Sequence, residues 1–351
     1  MKPLKSKNPD KDLLNTISYF SFFGYPPSLN EIHTFFPERI AKNKLKALLD
    51  QLVEKKRLIL DPMSFRRNPP IRRMTEKSRL KEPHNTLRWI SHFVRNDNLG
   101  YFNNPKPSSF QIKNFKLKIN LYTLPQYTTH FKNRASRQLI CQKKLIPVKC
   151  YTGILAKFPF IRMIGVTGSA SMGNTKRDDD VDLFIVTRGN CLFIGRFFAI
   201  LLAHILHVRK GKNSICLNLF FDENNLAIPL QKQTPYVAHE VLQMRPVVNK
   251  NNMYERFLEA NTWVKQFYPN ITLSIRSHSR PPNRRGNPIY NFLFFPFELL
   301  LIKIQLAIIS RNKTGLIISP TQLWLFRRDF EKRMNGSRLP VRHSRAGGNP
   351  C

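Results

Sequence analysis

The apolar residues of the first sixty positions recur every three or four residues, the spacing that places side chains on one buried helical face. Two such faces are marked by Leu13, Ile17, Phe20, Leu45, Leu48, Leu49 and Leu52. Between them, Ser28 followed by Glu31 has the capping-box pattern and predicts a short helix. The "LIL" after "KKR" predicts a strand. This order predicts a winged helix-turn-helix over residues 1–62.

The third helix of this region, predicted over 41–56, is rich in lysine. Its basic residues are Lys42, Lys44, Lys46, Lys55 and Lys56. Winged helices use such a helix to contact DNA, but the same fold also packs against proteins. No residue pattern here specifies the recognition of particular bases. DNA or RNA contact and protein packing therefore both stay open for this helix.

Residues 63–129 contain many prolines, asparagines and arginines and sustain neither a helical nor a strand period. The pattern predicts an irregular basic insertion with no compact element. "TLRWISHFVRND" within it and "PVRHSRAGGNP" in the tail, residues 340–351, resemble translated genomic palindromic repeats. We expect these pieces to be acquired sequence, and the amides of residues 66–110 and 340–351 to exchange rapidly.

Apolar runs of strand and helix length alternate over residues 130–270. They predict strands at 161–166, 181–186 and 215–221, a helix ending near 156, and helices at 191–208, 236–244 and 254–267. This alternation is typical of an α+β class with an α/β core, a mixed sheet and helices covering one side of it. We assign this stretch to a second domain.

Residues 271–339 are assigned to a C-terminal helical region. Their apolar stretch over 289–310 includes Pro296, Glu298, Lys303 and Gln305. Because charged groups in the middle of a bilayer are costly, this pattern favours a buried or partner-facing helix over a membrane span.

The chain has 351 residues and a formal net charge of +36, which favours nucleic acid or another polyanion as a partner; a merely solvated basic surface is the alternative. The acidic residues collect in residues 1–62 and 151–270. The five cysteines form no CxxC pair and lack zinc-site spacing. The N-terminus has no apolar run of the signal-peptide kind. These features favour a cytoplasmic protein of bacterial type.

One acidic stretch, "GVTGSASMGNTKRDDDVDLFIV", has two interpretations. Residues 168–175 match the P-loop pattern except that Asn174 stands where the phosphate-binding lysine belongs. A P-loop also needs a long following helix, and the next apolar strand starts too soon to leave room for one. The alternative is a phosphate-holding turn at Gly168 and Ser169, followed by Asp180 and Asp182 on one face of a strand. Two such carboxylates with substrate phosphates suit Mg²⁺.

With "GSASMG" followed by "DDDVDLFIV", the chain resembles the polymerase-β-like nucleotidyltransferase superfamily over about residues 150–225. "ICLNLFFDE", "YVAHEVLQMRPV" and "FLEANTWVKQFYPN" extend the similarity to bacterial nucleotidyltransferase-domain proteins with an N-terminal winged helix. The resemblance implies that Gly168 and Ser169 bind the triphosphate and that Asp180 and Asp182 are the catalytic metal ligands.

Other residues near the motif receive secondary roles. Active members of the superfamily usually have a third carboxylate on a later strand, where this chain has the neutral Asn218. Asp222, which alternation places on the same face, is the candidate third metal ligand, and Asn218 and Lys176 are candidate nucleotide contacts. Asp178 and Asp179 are expected to be solvated loop acids. His239 and Glu240 could face the cleft, but placement on a helix surface is favoured.

The sequence therefore predicts a Mg²⁺-dependent nucleotidyltransferase that moves NMP from an NTP such as ATP to an unidentified hydroxyl acceptor. The alternative from the same residues is a nucleic-acid-binding regulator, in which the winged helix acts and the transferase-like domain is an inactive sensor. Asn218 and the basic third helix favour that alternative. A degenerate gene product is a third, weaker interpretation.

Overall fold

The computed structural model describes residues 8–66, 116–209, 214–273, 288–309 and 317–325. The two repeat-like stretches, at 86–97 and in the tail 340–351, lie outside these ranges, and so does nearly all of the segment expected to exchange rapidly. The strands and helices predicted over residues 130–270 all lie within the described ranges.

The chain begins with a small helical unit. Asn8 caps the first helix by accepting the N–H of Lys11, and the capping box predicted at Ser28 and Glu31 is present. The helices pack through the apolar faces expected from the sequence, with Leu13, Ile17, Leu45, Leu49 and Leu52 in one core. The elements are α1 (Pro9–Phe22), α2 (Leu29–Thr34), α3 (Lys42–Glu54), β1 (Ile59–Arg66) and β2 (Lys116–Thr123). We call these five elements the N-terminal unit.

The prediction that residues 63–129 contain no compact element is wrong at both ends of that range. β1 continues to Arg66 and pairs antiparallel with β2, from Ile59 opposite Thr123 to Arg66 opposite Lys116. Leu121 and Tyr122 of β2 are buried. The pairing joins residues far apart in the sequence, so local periodicity gave no sign of it.

A six-stranded mixed sheet forms the centre of the molecule, which confirms the α+β class. Its strands are β3 (Ile161–Val166), β4 (Val181–Thr187), β5 (Ile215–Asp222), β6 (Arg245–Asn249), β7 (Ile317–Ile318) and β8 (Gln322–Trp324). The strand order is β6-β3-β4-β5-β8-β7; β4 and β5 are parallel and the other neighbours are antiparallel.

Both faces of this sheet are covered, whereas the sequence predicted cover on one. On β4, Leu183 and Ile185 face one core, and Phe184 and Val186 face the other. The helices that follow the N-terminal unit are α4 (Thr129–Leu155), α5 (Gly168–Ser171), α6 (Leu192–Ile205), α7 (Pro235–Gln243), α8 (Met253–Ala260), α9 (Val264–Phe267) and α10 (Pro288–Ile309). Of these, α4, α6 and α10 cover the first face; α7, α8, α9 and aromatic residues of the N-terminal unit cover the second.

The apolar C-terminal stretch forms α10, which packs on α6. The buried Glu298 accepts hydrogen bonds from the N–H groups of Phe193 and Ile194, both at 2.8 Å. Its carboxylate therefore satisfies donors that the start of α6 leaves free. No helix in the described part of the chain has the length and apolar character needed to cross a bilayer.

The N-terminal unit is attached to the second face of the sheet. Phe20, Tyr25 and Phe35 belong to the same core as Phe184 and Val186. Asn270 adds polar contacts: its side chain accepts from Ile40 N at 2.9 Å and donates to Glu38 O at 2.7 Å. The two parts thus share a core.

Candidate functional site

Gly168 and Asp182 lie against each other at the start of β4, as the sequence predicted. Gly168 has φ of +60°, a left-handed conformation that favours glycine. A Cβ at this position would lie 2.5 Å from Asp182 Oδ2. The backbone of this turn can therefore approach the carboxylate only because residue 168 has no side chain. We call residues 168–180 the glycine turn.

Asp179 holds the glycine turn together, so its prediction as a solvated loop acid is wrong. The side chain is buried, and its Oδ2 accepts from Lys176 N at 2.8 Å and from Ser169 Oγ at 3.3 Å. Its backbone carbonyl also accepts from Lys144 Nζ. Asp178 is exposed, as predicted. One of the two adjacent acids is structural and the other is in solvent.

The helix α4 supports the glycine turn through three residues at helical spacing. Arg137 donates to Asn174 Oδ1 at 3.0 Å, the Cys141 thiol donates to Ala170 O at 3.3 Å, and Lys144 reaches Asp179. Residues i, i+4 and i+7 of a helix lie on one face. The turn is thus fixed by one face of α4 as well as by its own hydrogen bonds.

Asp182 is a partly buried carboxylate beside other acids. Loss of solvation raises its pKa to about 7; a hydrogen bond from Cys216 opposes the shift, and the nearby Glu240, Asp180 and Asp179 add to it. Among the described residues, no lysine or arginine forms an ion pair with Asp180 or Asp182. A partly desolvated carboxylate without a cationic partner is suited to accept a metal ion.

The structure does not bring Asp222 to this site, so its assignment as a third metal ligand is wrong. In the parallel pair, Asp182 lies opposite Cys216, whereas Asp222 lies opposite Thr187 at the other end of the strands. Asp222 accepts from Asn190 N at 2.7 Å and Asn224 N at 2.8 Å and fixes two loops there.

A β-bulge explains why alternation failed for Asp222. Asp182 pairs with Cys216, and the next pair is Phe184 with Leu219. From one pair to the next, β4 advances by two residues and β5 by three. The extra residue reverses which side chains face each core beyond it. Asn218, which lies within the bulge, donates to Cys216 Sγ at 2.7 Å. It therefore lies two residues from the strand position opposite Asp182 and contacts the thiol next to that carboxylate.

Glu240 contacts the glycine turn, so the cleft-facing placement holds and the favoured placement on a helix surface is wrong. Its Oε2 accepts from Gly168 N at 3.1 Å, and its Oε1 accepts from Gln243 Nε2 at 2.6 Å. Burial raises the pKa of this carboxyl, and the two hydrogen bonds oppose the shift. The sequence did contain a signal: Tyr236, His239, Glu240 and Gln243 are spaced i, i+3, i+4 and i+7, which is one helical face.

His239 is buried among aromatic rings, so the favoured placement on the helix surface is wrong for this residue too. Its ring stacks on Phe35 with centroids 3.8 Å apart, and the rings of Tyr19 and Phe20 lie at 4.9 and 5.5 Å. Desolvation lowers its pKa to about 3, so the imidazole is neutral at physiological pH. Its Nε2 has no hydrogen-bond partner among the described residues. The histidine joins α7 to the N-terminal unit.

A small pocket of about 50 Å³ lies over Gly168 and Ser169. The N-terminal unit supplies one wall, with Phe20, Phe23 and Tyr25. The other walls come from the glycine turn and from α7, through Met172, Asn174, Tyr236, His239, Glu240 and Gln243. The pocket is thus an interdomain pocket, which the division of the sequence into separate domains did not predict.

Hydrogen bonds hold the N-terminal wall of this pocket in place. The buried Asn174 donates to Phe23 O at 2.9 Å, and Arg137 Nη1 donates to Phe23 O and Gly24 O, both at 3.1 Å. We call Arg137, Asn174 and these two carbonyls the latch. Asn174 is therefore a structural residue.

The remaining predicted residues have simpler surroundings. Lys176 is part of the glycine turn. Its backbone N–H donates to Asp179, and its side chain is partly exposed. The chain passes from the turn into β4 with no intervening helix beyond the four residues of α5. This topology excludes the P-loop interpretation of residues 168–175.

The oxygen donors of the site suit a hard cation, although they do not form a complete cage. Among the described residues, no group of three or more His, Cys, Asp or Glu side chains is arranged to hold a metal ion. Asp180 and Asp182 would supply two carboxylates, and Mg²⁺ ordinarily completes its shell with waters and substrate phosphates. Asp180 and Asp182 could therefore supply two of the oxygen ligands of such an ion.

Comparison of the chain with protein-family models, with curated proteins and with solved structures gave no match.

Proposed function

We propose that this protein is a Mg²⁺-dependent nucleotidyltransferase that transfers NMP from an NTP to a hydroxyl acceptor. The observation that carries the proposal is the contact between Gly168 and Asp182. A glycine turn lies directly against a carboxylate that has no cationic partner among the described residues, and Asp180 precedes it by two positions. Phosphate and metal would meet at such a place.

Each residue has a stated part in this proposal. Asp180 and Asp182 would hold Mg²⁺, which neutralises charge on the phosphates when it is bound. Gly168 and Ser169 would position the phosphates, and Lys176 of the same turn would stabilise the leaving group. The acceptor oxygen bonds to the α-phosphorus, the bond from that phosphorus to the bridging oxygen breaks, and pyrophosphate leaves. The hydroxyl proton passes to a carboxylate of the site.

Labelled NTPs with Mg²⁺ in a cell extract test this proposal. The wild-type protein should transfer label to an acceptor, and Asp182→Ala and Asp180→Ala should lose that transfer. Asp178→Ala is the matched control, because this acid lies in the same turn but is exposed, and it should label as the wild type does. Equal labelling by Asp182→Ala would refute the assigned roles.

A second candidate function is nucleic-acid binding by the N-terminal unit, with the core acting as an inactive sensor. Lys42, Lys44 and Lys46 of α3 are exposed, and three helices followed by a two-stranded sheet suit a winged helix. The neutral Asn218 favours this candidate as well. A gel shift that weakens steeply with salt and persists in the Asp180→Ala, Asp182→Ala double variant would support it.

For either function we propose a cytoplasmic location. Cys141, Cys150, Cys191 and Cys216 form no disulfide bond with any described residue, in keeping with a reducing compartment.

A further inference from the structure

The backbone amide of Gly168 already has a partner. If the proposed function holds, this N–H is one of the donors that a triphosphate oxygen requires. In the structure it donates to Glu240 Oε2 at 3.1 Å. A carboxylate oxygen and a phosphate oxygen are both anionic acceptors, so the two compete for the same donor. Gln243 holds the other oxygen of Glu240 at 2.6 Å and fixes its orientation.

The pocket over this amide is also too small for a nucleotide. Its volume is about 50 Å³, whereas pockets for small-molecule ligands of drug size occupy about 300–1,000 Å³. Phe20, Phe23 and Tyr25 of the N-terminal unit close one side of it. Entry of a triphosphate therefore requires this wall to move away from the glycine turn.

Two sets of contacts keep the pocket closed. The latch joins the end of α1 to the glycine turn through Arg137 and Asn174. On the other side, the aromatic rings of the N-terminal unit enclose His239, which precedes Glu240 on α7. The N-terminal unit thus forms the wall that covers Gly168 and also contacts the helix that carries the competing carboxylate.

We propose that the N-terminal unit holds the nucleotide site in a self-occluded state, with Glu240 in the place of a phosphate oxygen on the Gly168 amide. This inference rests on the proposed nucleotidyltransferase function and concerns the regulation of that same site. Opening the latch and withdrawing Glu240 would expose the amide to nucleotide. Glu240 thereby sets the affinity of the site without taking part in transfer.

Calorimetric titration with ATP and Mg²⁺ tests the inference on the full chain. Glu240→Ala frees the amide and should bind ATP roughly tenfold more tightly than the wild type, because a hydrogen bond to a charged group no longer competes. Glu240→Gln keeps an acceptor oxygen and should stay closer to the wild type. Arg137→Met removes the latch donors and keeps an apolar stem, so it should also increase affinity and serves if Glu240→Ala does not fold.

Glu255→Ala is the matched control. Glu255 also lies on a helix and accepts one side-chain hydrogen bond, from Asn249 at 2.9 Å, but it does not line the pocket. It should bind ATP as the wild type does. If the wild type binds and neither Glu240→Ala nor Arg137→Met binds more tightly, the occlusion is refuted and the proposed function stands. If no folded variant binds ATP with Mg²⁺, both are refuted.

Discussion

The two ends of the parallel pair β4 and β5 both carry acids, but the acids have different partners. At the carboxyl end, Asp222 accepts two backbone N–H groups and Glu223 pairs with Arg162 and Arg256 at 3.4 and 3.6 Å. At the amino end, Asp180 and Asp182 form no ion pair with any described residue. Acids of the first kind fix the fold, whereas those of the second kind are available to a ligand.

The same two kinds of acid occur in and around the glycine turn. Asp179 belongs with the acids of the carboxyl end, because it accepts a backbone N–H and a hydroxyl. Glu240 of α7 has features of both kinds of acid. It accepts the backbone N–H of Gly168, as a structural acid would, but the proposed substrate would need the same N–H group. A carboxylate's partners, more than its burial, therefore distinguish the structural acids of this protein from those that are available to a ligand.

The largest effect is expected at Gly168. Gly168→Ala should lower the free energy of unfolding by about 4 kcal/mol, because it adds left-handed strain to a Cβ contact with Asp182 Oδ2 at 2.5 Å. Gly173→Ala is the control, since its φ is +68° but nothing lies within 4 Å of its Cβ, and it should cost only about 1 kcal/mol. Urea denaturation measures both. Equal losses would mean that Asp182 does not lie against the turn.

Asp222→Ala should rank second, with a loss of about 3 kcal/mol in the free energy of unfolding. The change leaves the N–H groups of Asn190 and Asn224 without their buried acceptor. Binding of ATP with Mg²⁺ should not change in the folded variant, since Asp222 is at the other end of the strands. Loss of nucleotide binding without loss of stability would restore Asp222 as a site residue.

Asp179→Ala should cost about 2 kcal/mol, because Lys176 N and Ser169 Oγ lose a buried acceptor. The adjacent Asp178→Ala is the control and should change stability by less than about 0.5 kcal/mol, as expected for an exposed residue. Thermal unfolding of the two variants compares them directly. Indistinguishable midpoints would contradict the structural role of Asp179.

Asp182→Asn should act in the opposite direction and stabilise the metal-free protein by about 1 kcal/mol at pH 8. The folded pKa of Asp182 is raised to about 7, so the folded state binds the proton more tightly than the unfolded state does. The free energy of unfolding therefore falls as the pH rises from about 4 to 7, and the whole loss caused by ionising Asp182 is present above pH 7. The gain in the Asn variant should vanish near pH 4. A destabilised variant at pH 8 would show that the carboxylate has a partner.

The features that sequence predicted best depend on neighbouring residues. The strands β3, β4 and β5, the capping box at Ser28 and the meeting of Gly168 with Asp182 all follow from spacing within one short segment. Alternation along a strand and hydrogen bonds within one turn are local, so the order of residue types determines them.

The features that sequence missed depend on contacts between distant segments. β2 is ordered by its pairing with β1, Glu240 reaches Gly168 from another helix, and a bulge turns Asp222 to the other face of its strand. Tertiary packing decides each of these, and the spacing of residues within one segment does not determine it. The helical stripe at Tyr236, His239, Glu240 and Gln243 was the one local sign of a pocket face.

The pairing of Arg66 with Lys116 has an evolutionary consequence. The chain leaves the N-terminal unit at Arg66 and returns to it at Lys116, and because these two residues pair, the fold fixes where the intervening sequence is anchored. For a flexible connection in general, each doubling of length costs only about 0.6 kcal/mol. Sequence that the gene acquires at this position would therefore leave the two anchoring strands in register, and a protein engineer could use the same position to insert a reporter domain or to substitute a two-residue turn.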